Sequence, residues 1–372
     1  MPHNKEQHFV PFSYLKNFSS NKKTIHLHNL SNQRTIFNAK LKTQCRREYL
    51  YGKEDLSIEK GLGLIEGAAA NAFRNISSPP RTPTPGNIEF AHLITFAIFQ
   101  HHRTIYAARA LNEMFSNTAK KTLSYDPRFS GGILENVDIG LTNPAILATQ
   151  SASRSLHFGL DLSCKLLLAK EGCEFITSDN PAIFYNQALE ISNYQGLGLA
   201  CKGLQIFLPI SPERLLLFYD SKIYKVGLNN LDPVQITEQS DMDQINSLIL
   251  ANADENIYFL TSDKINLKVI GRGIRHKLIN NSTIETHQTF RDGEAYSDLL
   301  ISKRIRPRTG LKLNFVREHK TANLLRATAD NNFITTVELC RDPDLVVWDQ
   351  LYEKSLEKGN TQNFFEFIAS QG

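Results

Sequence analysis

Residues 88–115 constrain the fold most strongly. Their periodicity predicts one long helix, and Leu93, Ile94, Phe96, Ala97, Phe99 and Ile105 make it apolar almost all round. Such a helix must be enclosed by other elements. Inside it lies QHHRT. His101 continues the row Phe90, Ile94, Ala97, Ile105 and Ala108, whereas Arg103 projects from nearly the opposite side. An enclosed guanidinium needs an anion or a cage of hydrogen bonds, because an unpaired buried charge is very costly. A structural carboxylate and a bound phosphate would both serve. The prolines of SSPPRTPTPGN separate this helix from an earlier one over residues 57–76, whose apolar stripe is Ile58, Leu62, Ile65, Ala69, Phe73 and Ile76. Glu59 and Glu66, seven apart, fall on the border of that stripe, where they face either water or the edge of a pocket. A third helix is predicted over residues 144–169, with Leu156, Leu160, Cys164 and Leu167 on its core face and His157 beside them.

Beyond residue 172 the texture changes. CEFITSDNPAIFYN reads as strand, turn, strand, and LQIFLPIS, RLLLFYD and NIYFLTS follow as short β-rich runs, with a helix over residues 240–253 between the last two. Near the N-terminus, TIHLHNL and RTIFNA read as a hairpin with His26 and His28 on one strand face, a spacing that can grip a metal or simply face solvent. The fold class predicted is α+β: a helical core on a small, mostly antiparallel sheet, with an N-terminal arm and hairpin and a basic C-terminal appendage. Ser178, Asp179, Asn180 and Pro181 form the most pointed polar cluster of the β-rich half. They fit a backbone-bonded turn, and equally a carboxylate and amide held at a strand end for a ligand.

Hydrophobic residues are 41% of the 372, ample for a core, and no apolar run approaches the ~20 residues that span a bilayer. Five scattered cysteines without a C-x-x-C pair fit a reducing cytoplasm and offer no structural zinc site. The net charge of +4 is uneven. Residues 264–320 hold 13 Lys or Arg against 5 Asp or Glu, a net +8, leaving the remainder near −4. This divides the chain at residues 1–263 and 264–372, and the basic block, with Arg304, Arg306 and Arg308 in RIRPRTG, suits phosphate contact with RNA or DNA. A solvated basic surface is the plainer alternative. Walker A, G-x-S-x-G and H-E-x-x-H signatures are absent from the sequence.

The first residues, QHFVPFSYLKNF, place a histidine beside a proline and an aromatic-rich turn. Together with REYLYGKEDLSIEKGLGLIEGAAANAFRNI and with FITSDNP followed by LPISPERLLLFYD, this stretch resembles the bacterial family of unknown function DUF4238 across residues 5–262. The resemblance maps onto Gln7, His8, Pro11, Tyr14 and Leu15, then Glu59 and Glu66, Arg103, and Ser178, Asp179 and Pro181. A tryptophan common in the family before the T-S-D strand is missing, and the chain's single tryptophan is Trp348. The resemblance implies an arm that lays His8 across the helical core to meet Glu59, Glu66, Arg103 and Asp179, with Pro11 and Tyr14 fixing its path.

Three functional expectations follow. The first is a cytoplasmic nuclease or related phosphoryl-transfer effector of toxin or phage-defence type. Its catalytic residues would be His8, Glu66, Arg103 and Asp179, with Glu59, Glu66 and Asp179 holding Mg²⁺ or Mn²⁺, or a metal-free route through His8 and Arg103. Gln7, Tyr14, Ser178, Asn180, Arg304, Arg306 and Arg308 would contact substrate. The second is a non-catalytic ligand-sensing or partner-binding module that uses the same polar pocket and docks a regulatory protein. The third is structural: the motif stitches the arm to the core, with His8 on a glutamate and Arg103 neutralising Asp179.

Overall fold

A computed structural model describes residues 5–53, 55–190, 196–229, 231–261, 282–291, 294–304, 308–331 and 337–371, and its fold is α+β. The chain opens with strand β1 (Glu6–His8) and the single helical turn α1 (Phe12–Leu15). A hairpin follows, β2 (Thr24–Asn29) and β3 (Arg34–Lys40), and then β4 (Arg46–Glu48), which pairs antiparallel with β1 so that His8 faces Arg46. The arm is thus a paired strand, and its next residue continues the ladder through Phe9 N–H to Cys45 O at 2.9 Å. In the hairpin the Nδ1 atom of each histidine is occupied locally. His26 Nδ1 accepts the Asn38 N–H at 3.0 Å, and His28 Nδ1 lies 2.9 Å from Thr35 Oγ1.

Helix α2 (Ser57–Ser77) buries Leu62, Ala69, Ala72, Phe73 and Ile76, the stripe its periodicity announces. The long second helix is instead two. Helix α3 (Ile88–His102) stops at Arg103, and α4 (Ile105–Leu123) begins after Thr104, whose hydroxyl accepts the Ala107 N–H at 3.1 Å. A side-chain cap within QHHRT outcompetes helix continuation here. The third predicted helix also divides. Helix α5 (Pro144–Arg154) ends in a short 3₁₀ turn, and Ser163–Leu168 is strand β5. At the junction, a β-carbon on Gly159 would lie 2.6 Å from Ile98 Cδ1, so a side chain here would make Ile98 shift where the chain turns against α3. Cys164 and Leu167, expected on one helical face, therefore point to opposite sides of a strand.

The predicted strand–turn–strand around Asp179 is no hairpin. Strand β6 (Thr177–Ser178) belongs to one sheet and β7 (Ile183–Tyr185) to another, so the S-D-N-P turn carries the chain between sheets. Strands β8 (Gln205–Ser211), β9 (Arg214–Tyr219), β10 (Tyr224–Val226) and β11 (Val234–Gln235) follow, then helix α6 (Gln239–Asn252) and strand β12 (Asn256–Phe259). The five-stranded sheet has the order β11-β5-β9-β8-β7 and is antiparallel except at β11–β5; the four-stranded one has the order β3-β2-β12-β6.

Alternation along the five-stranded sheet builds two cores. Ile206, Leu208, Leu216 and Phe218 face the arm, α2 and α3, whereas Phe207, Leu215, Leu217 and Tyr219 face α6 through Ile245, Leu248 and Ile249. Burial on both faces is why LQIFLPIS and RLLLFY read as unbroken apolar runs. The second core also takes in Leu311, Leu313 and Val316 from the end of the basic block and Ala322, Leu325, Ala329 and Leu339 from beyond it. Strands β13 (Ser282–Arg291) and β14 (Glu294–Arg304) form a hairpin beside α4, and β15 (Val316–Glu318) pairs with β10. Helices Pro343–Glu357 and Phe364–Ala369 follow, and Phe364 stacks on His157 with ring centroids 3.9 Å apart. Arg304 closes β14 and Arg308 is exposed, while Arg306 and the stretch VIGRGIRHK lie outside the described residues. Among the described residues, no helix is long and apolar enough to cross a membrane.

Candidate functional site

The break between α3 and α4 gives Arg103 its position. As the residue closing α3 it is 2% exposed, and its guanidinium turns towards the arm and α2. Nη1 donates to Glu66 Oε1 at 2.7 Å and Nη2 donates to the His8 carbonyl at 2.6 Å. The Tyr51 hydroxyl donates to the Arg103 carbonyl at 2.7 Å, and its ring lies 6.0 Å from the guanidinium carbon. Tyr51 is itself fixed by Gln7. The amide oxygen of Gln7 accepts the Tyr51 N–H at 2.6 Å, and its nitrogen donates to the Gly52 carbonyl at 3.1 Å. Gln100 adds a further stitch, donating to the Phe9 carbonyl at 2.8 Å. Arm, α2, α3 and the loop before α2 thus meet around one buried cation.

Three polar atoms at this meeting point are enclosed without a hydrogen-bond partner: His8 Nε2, Glu59 Oε2 and Arg103 Nε. Buried polar atoms are nearly always satisfied, so three together call for a partner, either ordered water or a bound group. Their electrostatics agree. Burial pushes the His8 pKa below the ordinary histidine value, with the Lys42 carbonyl and Glu66 opposing the shift and Arg46 and Arg103 reinforcing it. Burial pushes the Glu59 carboxyl up, Arg103 opposing and Glu66 reinforcing. Burial also raises the Tyr51 hydroxyl to about 12, against the pull of Arg103. At neutral pH the histidine is therefore a neutral imidazole, able to take a proton, and Glu59 holds its proton more tightly than an exposed glutamate would.

Asp179 lies in a different set of contacts. Its Oδ1 accepts the Asp254 N–H, and its Oδ2 accepts the Glu255 and Asn256 N–H groups, all at 2.8 Å. Burial and the neighbouring Asp254 push its pKa up to about 7, against three amide donors that favour the ionised form. The carboxylate closes the link between α6 and β12. Asn180 donates to the Asn252 carbonyl at 2.9 Å and lies 3.4 Å from the Thr104 hydroxyl, while the Ser178 hydroxyl accepts the Asn180 N–H at 3.1 Å. The buried Tyr14 hydroxyl meets Thr177 Oγ1 at 2.8 Å and the Pro209 carbonyl. Gln7, Tyr14, Ser178 and Asn180, expected to touch substrate, are thus buried with internal partners that account for their polar groups. Glu59, Glu66 and Asp179, expected to share a metal, do not converge: Glu66 engages Arg103 while both Asp179 oxygens are filled by backbone amides. Among the described residues no group of three or more His, Cys, Asp or Glu could hold a metal ion.

The structure joins His8, Glu59, Glu66 and Arg103 and leaves Asp179 outside. Arg103 pairs with Glu66 rather than Asp179, and the His8 carbonyl bonds Arg103 while its ring turns to the Lys42 carbonyl rather than to a glutamate. Tyr51 and Thr104 escape a reading by periodicity, since one lies in a loop and the other in a helix break. Their signals are the aromatic of REYLYG and a threonine followed by apolar residues. The chain matches the family described as a protein of unknown function (DUF4238) over residues 6–263, and it belongs to that family. No curated protein and no solved structure shows significant similarity to it.

Proposed function

We propose that this chain is a nuclease or related phosphoryl-transfer enzyme acting on nucleic acid, with its chemistry in the pocket of His8, Glu59, Glu66 and Arg103. The observation that carries the reading is the trio of enclosed, partnerless atoms, His8 Nε2, Glu59 Oε2 and Arg103 Nε, around the pair of buried Arg103 and half-buried Glu66. A phosphodiester would meet all three. Arg103 Nε–H would donate to a non-bridging oxygen, His8 Nε2 would take the proton of the attacking hydroxyl or water, and Glu59 would protonate the leaving oxygen. Charge supports a diester over a terminal phosphate. With His8 neutral, Glu66 balances Arg103, and burial raises the Glu59 carboxyl, so a dianion would enter against two acidic side chains. No step is routed through Mg²⁺ or Mn²⁺, because the acids expected to hold one are dispersed. Arg308 is exposed within the basic block, and in this reading it would follow a phosphate backbone. The role of a cytoplasmic toxin or phage-defence effector remains part of the proposal.

The test is incubation of the purified chain with RNA and DNA, with and without divalent metal. Cleavage reduced about 10²-fold or more in His8→Gln, with an unchanged melting temperature, supports the reading. Intact nucleic acid under every condition overturns it. A second reading, a non-catalytic sensor of a small anion, is favoured by one observation: Glu66 and the His8 carbonyl each hold one terminal nitrogen of Arg103, which leaves Nε as the guanidinium nitrogen without a partner. Binding without turnover in calorimetry would decide for it.

A further inference from the structure

Outside the pocket, the sharpest unexplained arrangement is a pair of cysteines on opposite chain segments. Cys201 and Cys340 face each other in an isolated antiparallel bridge. The flanking bonds are Lys202 N–H to the Leu339 carbonyl and Arg341 N–H to the Ala200 carbonyl, both at 2.8 Å. Backbone bonds flanking the facing residues in this way define the narrow type of antiparallel pair, in which α-carbons stand about 4.5 Å apart and side chains lie closest. Disulfides span α-carbon separations of about 4.4–6.8 Å, so the backbone already holds the two thiols within bonding range.

The register is clamped. Lys202 Nζ donates to the Glu338 carbonyl at 2.7 Å, and Arg341, only 6% exposed, donates to the Cys201 carbonyl and Asp161 at 2.8 Å and also to the Phe158 carbonyl. A β-carbon on Gly198 would stand 3.3 Å from Cys201 Sγ, so this glycine leaves the thiol its space. The electrostatic influence of Cys201 on Cys340 shows the same proximity.

We propose that Cys201 and Cys340 are a redox modification site, closing to an intramolecular disulfide when the chain meets a peroxide or a low-molecular-weight disulfide. Each thiol gives up one proton and one electron, and one S–S bond forms. With hydrogen peroxide the O–O bond breaks and two waters leave. With a small disulfide, one thiolate displaces a small thiol and the second thiolate resolves the mixed disulfide, releasing another. The bond joins the family-matched part of the chain to the segment beyond residue 337, locking the Arg341 anchor in place. Burial and Cys201 push the Cys340 thiol pKa up, with Lys202 and Arg341 opposing, so closure is slow at neutral pH and faster in alkali.

The test treats the native full chain with hydrogen peroxide, alkylates the remaining thiols and maps cross-linked peptides by mass spectrometry. The expected result is one dominant link, Cys201 to Cys340, removed by dithiothreitol and absent in Cys201→Ser and in Cys340→Ser. A melting temperature that rises on oxidation and returns on reduction is expected from the wild-type chain, so the outcome stands even where a variant fails to fold. Recovery of both residues as separate alkylated thiols once the half-exposed Cys173 has oxidised overturns the proposal, as does a dominant link from either residue to another cysteine.

Discussion

Arg103 and Glu66 meet at 2.7 Å across an asymmetric boundary: the guanidinium is 2% exposed and the carboxylate side chain 25%. The deep partner depends on the shallow one, because removing Glu66 takes away the one acid bonded to a cation otherwise held by a carbonyl and the Tyr51 ring. Arg103→Met should therefore cost about 3–5 kcal/mol and Glu66→Gln somewhat less, at about 2–3 kcal/mol. The two should couple by at least about 1 kcal/mol in a double-mutant cycle followed by urea unfolding. Additive losses would show that the pair does not act as a unit.

Gln7 and His8 are neighbours with opposite predicted phenotypes. Gln7 holds the Tyr51 N–H and the Gly52 carbonyl, so Gln7→Ala strands buried backbone groups and should cost about 1–3 kcal/mol in thermal unfolding. The Nε2 of His8 has no internal partner to lose, so His8→Gln should change stability by under about 1 kcal/mol while removing activity. A His8→Gln loss as large as that of Gln7→Ala would make His8 a structural residue.

Asp179 should behave as a structural acid. Asp179→Ala leaves three amide donors at the α6–β12 junction unsatisfied and should cost about 3 kcal/mol or more. Any fall in activity should follow the folded fraction measured by circular dichroism. A fully folded Asp179→Ala chain without activity would instead return this carboxylate to the chemistry.

The His8 shift carries a pH signature of definite sign. Its folded pKa is depressed, so folding favours the neutral ring. The stability this supplies is complete above pH ~6.5 and is lost as pH falls through the folded value. His102 and His157 are depressed too, so the difference between wild type and His8→Gln isolates the term. Between pH ~7 and ~5 the variant should lose less stability than wild type in matched denaturant titrations. Parallel curves would mean that the ring titrates as if exposed.

Local patterns were readable where one periodicity held across an element. Helix Gln239–Asn252 and the hairpin Thr24–Asn29 with Arg34–Lys40 fall within a residue or so of their predicted places. Arg103 announced its need for an anion, and Glu66, on the border of the α2 stripe, is what the fold supplies. Non-local facts stayed hidden. SCKLLL satisfies a helix or a strand, and only its pairing with β9 decides. Asp179 looked like a site acid because the amides it caps, at residues 254–256, lie some seventy residues further along. Tyr51 carries no periodic signal, and its role exists only once Gln7 and Arg103 stand on either side of it.

The central claim is that His8, Glu59 and Arg103 turn their partnerless atoms towards one shared ligand space. Its most direct test is nuclear magnetic resonance of histidine-labelled protein titrated with a short single-stranded oligonucleotide. The account predicts that the His8 Nε2 resonance moves with saturation, that its pKa rises as the phosphate arrives, and that Glu59→Gln weakens the response. A His8 resonance that stays still while the oligonucleotide binds elsewhere, or does not bind, would contradict it.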